Sequence, residues 1–178
     1  MKKSLVVLSC LALLMACKPK EEAAAPAAPV EPPQAEIGDA KYAEIGKQGI
    51  ANLSSGDIDA WMNAYAENAK YFWNGGDSLV GKTAIAAYWK DRRGNVIDKI
   101  TFTNDVWTVL KINRPQKGPD QAGIWLLSWY QVSATYKNGG TMGQLIHTDM
   151  HFDANDKIDV VVQYLDRAPI NAVLAKKK

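Results

Sequence analysis

Residues 95–166 carry a two-residue hydrophobic period broken only by short turn signals, and this pattern restricts the fold more than any other feature of the chain. Ile100, Phe102, Asn104, Val106, Thr108, Leu110 and Ile112 alternate with Thr101, Thr103, Asp105, Trp107, Val109 and Lys111, as a long half-buried strand should. A loop from Arg114 to Gly123, containing Pro115, Gly118 and Pro119, leads into a second strand over 124–136. There Trp125, Leu127, Trp129 and Gln131 share one face, and Leu126, Ser128, Tyr130 and Val132 the other. Asn138-Gly139 predicts a tight hairpin with positive φ at both residues. It returns the chain into a strand over 141–152, and the turn at Asn155-Asp156 leads to an apolar strand over 157–166. Strands joined this closely predict an antiparallel meander whose apolar face is roofed by other elements.

The roof is legible upstream. Tyr42, Ile45, Gly46, Gly49, Ile50 and Leu53 keep helical spacing, and Ser54-Ser55-Gly56 stops that helix. Asp57 caps a second helix with Ile58, Trp61, Met62 and Tyr65 in one stripe. Tyr71-Phe72-Trp73 reads as a short strand ending at the Asn74-Gly75-Gly76-Asp77 turn. Gly81-Lys82-Thr83 opens a third helix, with Ile85, Tyr88 and Trp89 on one side and Gly94 closing it. The expectation is an α+β fold: a bent antiparallel sheet packed against three N-terminal helices. A chain of 178 residues, 47% hydrophobic, can bury one full core of this kind.

The first thirty-six residues read differently. Met1-Lys2-Lys3 and the apolar run to Ala16 have the form of a secretory signal too short to span a bilayer. Leu14-Met15-Ala16-Cys17 resembles the lipobox of bacterial lipoproteins, which implies lipidation at Cys17. Residues 17–36 are a Pro/Ala/Glu-rich tether; at about 3.1 Å per residue it could extend on the order of 60 Å. The expected organisation is a signal peptide at 1–16, lipidated Cys17 and linker at 17–36, a folded domain at 37–175 and a basic tail at 176–178. Lys18 after the cysteine implies, by the same resemblance, a cell-envelope location at the outer membrane, on its periplasmic face or at the cell surface. Without the signal's two lysines, 21 basic residues become 19, matching 19 acidic ones, so no nucleic-acid partner is expected. Cys10 and Cys17 are the chain's two cysteines, which leaves the folded domain without a disulfide, a thiol nucleophile or a cysteine metal site.

Gly56-Asp57-Ile58-Asp59-Ala60-Trp61 running into Tyr65-Ala66-Glu67-Asn68-Ala69, Gly81-Lys82-Thr83-Ala84-Ile85, and a last strand ending Tyr164-Leu165-Asp166 occur in an order and spacing that carry a resemblance. Over residues 37–173 the chain resembles the nuclear transport factor 2-like superfamily, especially its SnoaL-like branch. The resemblance implies a cone-shaped α+β barrel enclosing one pocket, and a possible homodimer through the sheet. It leaves activity open, because the superfamily includes isomerases, cyclases, dehydratases, hydrolases and non-catalytic binders.

His147, Asp149 and His151 are the residues best suited to acid/base work, and their spacing puts them on one strand face. Neighbours two apart are about 6.6–7 Å apart, so Asp149 can reach either histidine, while the histidines stand about 13 Å apart, too far to share a metal ion. No metal and no cofactor is expected. In ketosteroid isomerase-like relatives a base is paired with a group that stabilises an enolate; the resemblance offers Asp149 or His147 as base and Tyr42 or Tyr65 as donor. The alternative places the triplet on the solvated face while Ile146, Thr148, Met150 and Phe152 pack on the helices. Tyr42, Trp61, Tyr65, Trp73, Tyr88, Trp107 and Trp129 are candidate ligand-lining residues, with Trp125 beside them; aromatic rings equally make a core. Two expectations follow: a lipid-anchored module that holds a small hydrophobic ligand or uses its sheet to bind a partner or a second copy of itself, or a cofactor-free isomerase, cyclase or dehydratase.

Overall fold

The computed structural model describes residues 31–116 and 121–175. The alternating stretches become a curved, unclosed sheet of seven strands. In chain order the elements are β1 (Ala35–Ile37), α1 (Lys41–Ser55), α2 (Ile58–Met62), β2 (Tyr65–Trp73), β3 (Ser78–Val80), α3 (Lys82–Asp91), a π-helical turn (Arg92–Val96), β4 (Ile97–Ile112), β5 (Gly123–Tyr136), β6 (Thr141–Phe152), β7 (Ile158–Tyr164) and α4 (Arg167–Leu174). The sheet order is β1-β4-β5-β6-β7-β2-β3. The calls for a signal, for lipidation at Cys17 and for the tail lie outside the described residues.

The meander β4-β5-β6-β7 is antiparallel, but β7 pairs with β2 in parallel, so the sheet is mixed. This shortens the expected second helix. Ile158 N–H donates to the Ala64 carbonyl at 2.8 Å, and Tyr65 pairs with Ile158, so α2 ends at Met62 and Tyr65 opens a nine-residue strand. A residue at i+7 on a helical stripe and one at the head of a buried strand look alike in sequence. The first strand begins at Ala35, two residues before the expected domain boundary, and α4 follows β7 with Asp166 accepting from Ala168 N–H as its N-cap.

The even-numbered run expected on one face of β4 is broken. Between Thr103 and Val106 two residues face one on β5, with Asn104 at φ 54°, so Phe102 and Trp107 point inward while Val106 is 55% exposed. The Asn138-Gly139 hairpin is also longer than expected: only Gly139 takes positive φ (86°), and Tyr136 accepts from Gly139 N–H at 2.8 Å and donates to Gly140 at 2.8 Å. That is a three-residue loop closed by a bulge.

α1 lies close on the sheet because Gly46 has no side chain; a Cβ there would stand 2.4 Å from the Trp107 ring and 2.7 Å from Leu126. α3 is ended by the π-turn, which Arg93 ties to α1 and β4 through the Leu53, Ser54 and Ile97 carbonyls. No helix among the described residues is long and apolar enough to cross a membrane.

Candidate functional site

Between the concave face of the sheet and the helices lies a cavity of about 280 Å³, near the small end of ordinary ligand sites. Its floor is built from every second residue of three strands: Tyr130 and Val132 on β5, Ile146, Thr148 and Met150 on β6, Val161 and Gln163 on β7. Trp61, Tyr65, Tyr71, Trp73, Tyr88 and Trp89 form an aromatic wall from α2, β2 and α3. Adjacent rings meet edge to face, as at Trp61–Trp89 and Tyr88–Trp89, with centroids 5.5 and 5.4 Å apart.

The polar groups of the cavity divide into two sets. One is satisfied internally: the Tyr130 hydroxyl is 2.6 Å from Thr148 Oγ1, Gln163 Nε2 donates to Thr148 Oγ1 at 3.4 Å, and Trp73 Nε1 donates to Gln163 Oε1 at 3.1 Å. Ser128 donates to the Thr148 carbonyl at 2.8 Å behind them. The other set consists of donors without acceptors. Trp89 Nε1 is buried without a hydrogen-bond partner, and the Tyr65 and Tyr71 hydroxyls bond to no other described residue. At Trp89 Nε1 the buried, unpaired donor costs about 1–3 kcal/mol, which an acceptor on a bound molecule would offset. Burial pushes the phenols of Tyr65, Tyr71 and Tyr130 up, with hydrogen bonds opposing the shift at Tyr130 alone, so all three remain neutral donors near neutral pH.

Charge is confined to three of the lining residues. Asp77, Arg92 and Arg167 are at least partly exposed, and Arg167 pairs with Asp77. Asp77 is the one carboxylate among the described lining residues, and no histidine is among them.

The triplet lies on the other face. Because Ile146, Thr148 and Met150 point into the cavity, the pleat turns His147, Asp149 and His151 outward, so the expectation that they could work in the pocket is corrected. His147 stacks on Trp129 at 4.5 Å, its ring centre is 5.5 Å from that of Tyr164, and its Nδ1 donates to the Ser128 carbonyl at 3.0 Å. His147 Nε2 is 2.8 Å from Asp149 Oδ1, an ion-pair distance, and that buried oxygen has no other partner among the described residues. Burial raises the Asp149 carboxyl and His147 opposes the shift. Asp149 does not serve His151. That ring is buried, with Nδ1 2.6 Å from Asp159 Oδ1 and Nε2 3.1 Å from the Ala122 carbonyl, a contact pattern that holds an outer loop to the sheet. Among the described residues no group of three or more His, Cys, Asp or Glu side chains could hold a metal ion.

Of the aromatic candidates, Trp61, Tyr65, Trp73 and Tyr88 line the cavity and three do not. Tyr42 packs on Phe152 and donates to Asp156 at 2.5 Å, so its hydroxyl is committed elsewhere. Trp107 fills the space under Gly46, with Nε1 donating to Asp105 at 2.5 Å. Trp129 and Trp125 lie against the outward histidines. Tyr71, Trp89, Tyr130, Arg92 and Arg167 are cavity residues that the sequence reading missed as ligand contacts. Alternation had placed Tyr130 on the face opposite Trp129, and that signal was sufficient; nothing in the sequence marked the arginines.

No protein-family model and no curated protein matches the sequence. Solved structures do match in fold. A candidate polyketide cyclase from Xanthomonas campestris superposes with a TM-score of 0.61 at 15% identity, covering 76% of this chain and 97% of its own. A nuclear transport factor 2-like protein of unknown function from Burkholderia pseudomallei gives 0.60 at 12% identity, covering 78% and 100%. A candidate SnoaL-like polyketide cyclase from Shewanella denitrificans gives 0.55 at 14% identity, covering 78% and 100%. The chain has the nuclear transport factor 2-like fold, in the form seen in SnoaL-like proteins.

Proposed function

We propose that this protein is an envelope lipoprotein whose domain binds a small hydrophobic molecule in the cone and does not transform it. The observation that carries the reading is the cavity lining: an aromatic and aliphatic interior with neutral donors, whose one carboxylate among the described lining residues, Asp77, is exposed and paired with Arg167. Proton abstraction next to a carbonyl needs a base within hydrogen-bond reach of the substrate. His147 and Asp149 stand across the sheet from the cavity, and Asp77 is exposed and paired with Arg167. The free phenols of Tyr65 and Tyr71 supply what an enolate-stabilising site would need, which is why the cyclase-like neighbours make enzymatic turnover the second reading.

Calorimetric titration of the full-length protein with 1-octanol tests the binding. Val132→Phe and Ile146→Trp each place a ring in the cavity and are expected to weaken uptake by about 100-fold, while His147→Ala stays within about twofold. Uptake unaffected by either filling variant would overturn the reading. Mass analysis of the N-terminal peptide for a diacylglyceryl group on Cys17 tests the anchor.

A further inference from the structure

We propose that the natural ligand is an apolar acid, its skeleton against the aromatic wall and its carboxylate on Arg92 at the cavity mouth. This rests on the binding reading above and adds the ligand's charge to it. Arg92 and Arg93 are adjacent in the π-turn but have opposite fates. Arg93 is consumed by backbone: Nε donates to Leu53 at 3.1 Å, Nη1 to Ile97 at 2.9 Å and Nη2 to Ser54 at 3.2 Å. Arg92 is half-buried, lines the cavity and lies 6.0 Å from the Tyr88 ring centre, with no hydrogen bond or carboxylate partner among the described residues. Departures from α-helical geometry of this type recur at functional sites.

A guanidinium beside an apolar cavity offers a planar fork of donors that fits a carboxylate. The rim supports it. Arg167 stands 5.6 Å from the Trp73 ring centre, and Trp73 and Tyr88 are 5.2 Å apart, so two guanidinium–aromatic pairs border the mouth. Asp77 answers Arg167 alone, which leaves the lining residues with an uncompensated positive charge at Arg92. Deeper in, the unpaired donors on Trp89, Tyr65 and Tyr71 favour oxygen acceptors on the ligand, and the uncompensated Arg92 charge disfavours a cationic head group at the mouth.

The test titrates full-length protein with octanoate, 1-octanol and octyltrimethylammonium, which share a chain and differ in head group. Octanoate is expected to bind about tenfold more tightly than octanol, and the ammonium compound more weakly than either. Arg92→Gln should erase the octanoate preference through a loss of octanoate affinity several-fold larger than any change for octanol, with melting temperature unchanged, and be largely rescued by Arg92→Lys. Arg167→Gln should cost octanoate no more than about threefold, since that side chain is committed to Asp77. Octanol binding with no octanoate preference, or a preference that survives Arg92→Gln, overturns the acid assignment and leaves the cavity reading standing. An Arg92→Gln variant that weakens both probes equally shows a structural role and also overturns it. If no probe binds the wild-type protein, both readings fall.

Discussion

The two faces of β6 are one residue apart in sequence and opposite in chemistry. On the concave face Ile146, Thr148 and Met150 border a cavity whose donors are partly unanswered. On the convex face His147, Asp149 and His151 carry the groups that usually signal catalysis, and they are occupied with stacking, an ion pair and a loop contact. Catalytic residue types are therefore a poor guide here, and unsatisfied polar atoms that line a cavity are a better one; the buried Asp149 Oδ1, on the convex face, lines none. A hydrogen-bonding group that the fold leaves unpaired inside a cavity has a cost that a ligand can relieve, whereas a histidine with both nitrogens engaged is serving the fold.

The contrast can be broken experimentally. The largest expected difference is in uptake, where cavity-filling at Val132 or Ile146 should nearly abolish octanol binding and changes to the convex histidines should not; equal effects on both faces would remove the distinction. Next is stability: His151→Ala strands the Asp159 carboxylate and the Ala122 carbonyl and empties a packed site, so a loss of about 2–4 kcal/mol in urea unfolding is expected, with affinity retained. Tyr65→Phe and Tyr71→Phe invert that pattern, leaving stability unchanged or slightly raised while lowering octanol affinity by roughly two- to tenfold, one hydrogen bond's worth.

The smallest effect concerns Asp149. Because burial raises its carboxyl, the folded state binds a proton more tightly than the unfolded one. Its contribution to stability is then greatest below the ordinary carboxylate range and declines as pH rises through the raised value. Asp149→Asn should flatten this part of the stability–pH curve and leave neutral-pH stability equal or slightly higher. A marked loss at neutral pH would mean that the charged pair with His147 supports the fold more than burial opposes it.

Much of this was legible without coordinates. The helix over Tyr42 to Leu53, the strand over 141–152 and the outward alternative for the triplet follow from local periodicity, which records which side chains share a face. Tyr65 was harder, since its place on β2 depends on pairing with Ile158, far away in sequence. The bulge at Asn104 reversed the inward face of β4 for the same reason: two residues opposite one is a property of strand pairing, which neither strand displays alone.

Sequence by itself determined the α+β class, the antiparallel meander and the alternation that separates Thr148 from Asp149. Tertiary structure decided which of those faces closes over a cavity and which aromatic rings reach it, and it left the lining residue Arg92 with no hydrogen bond or carboxylate partner among the described residues. The physical reason is that periodicity is written in the backbone geometry of neighbouring residues, whereas enclosure and hydrogen-bond satisfaction are settled by groups brought together from distant segments.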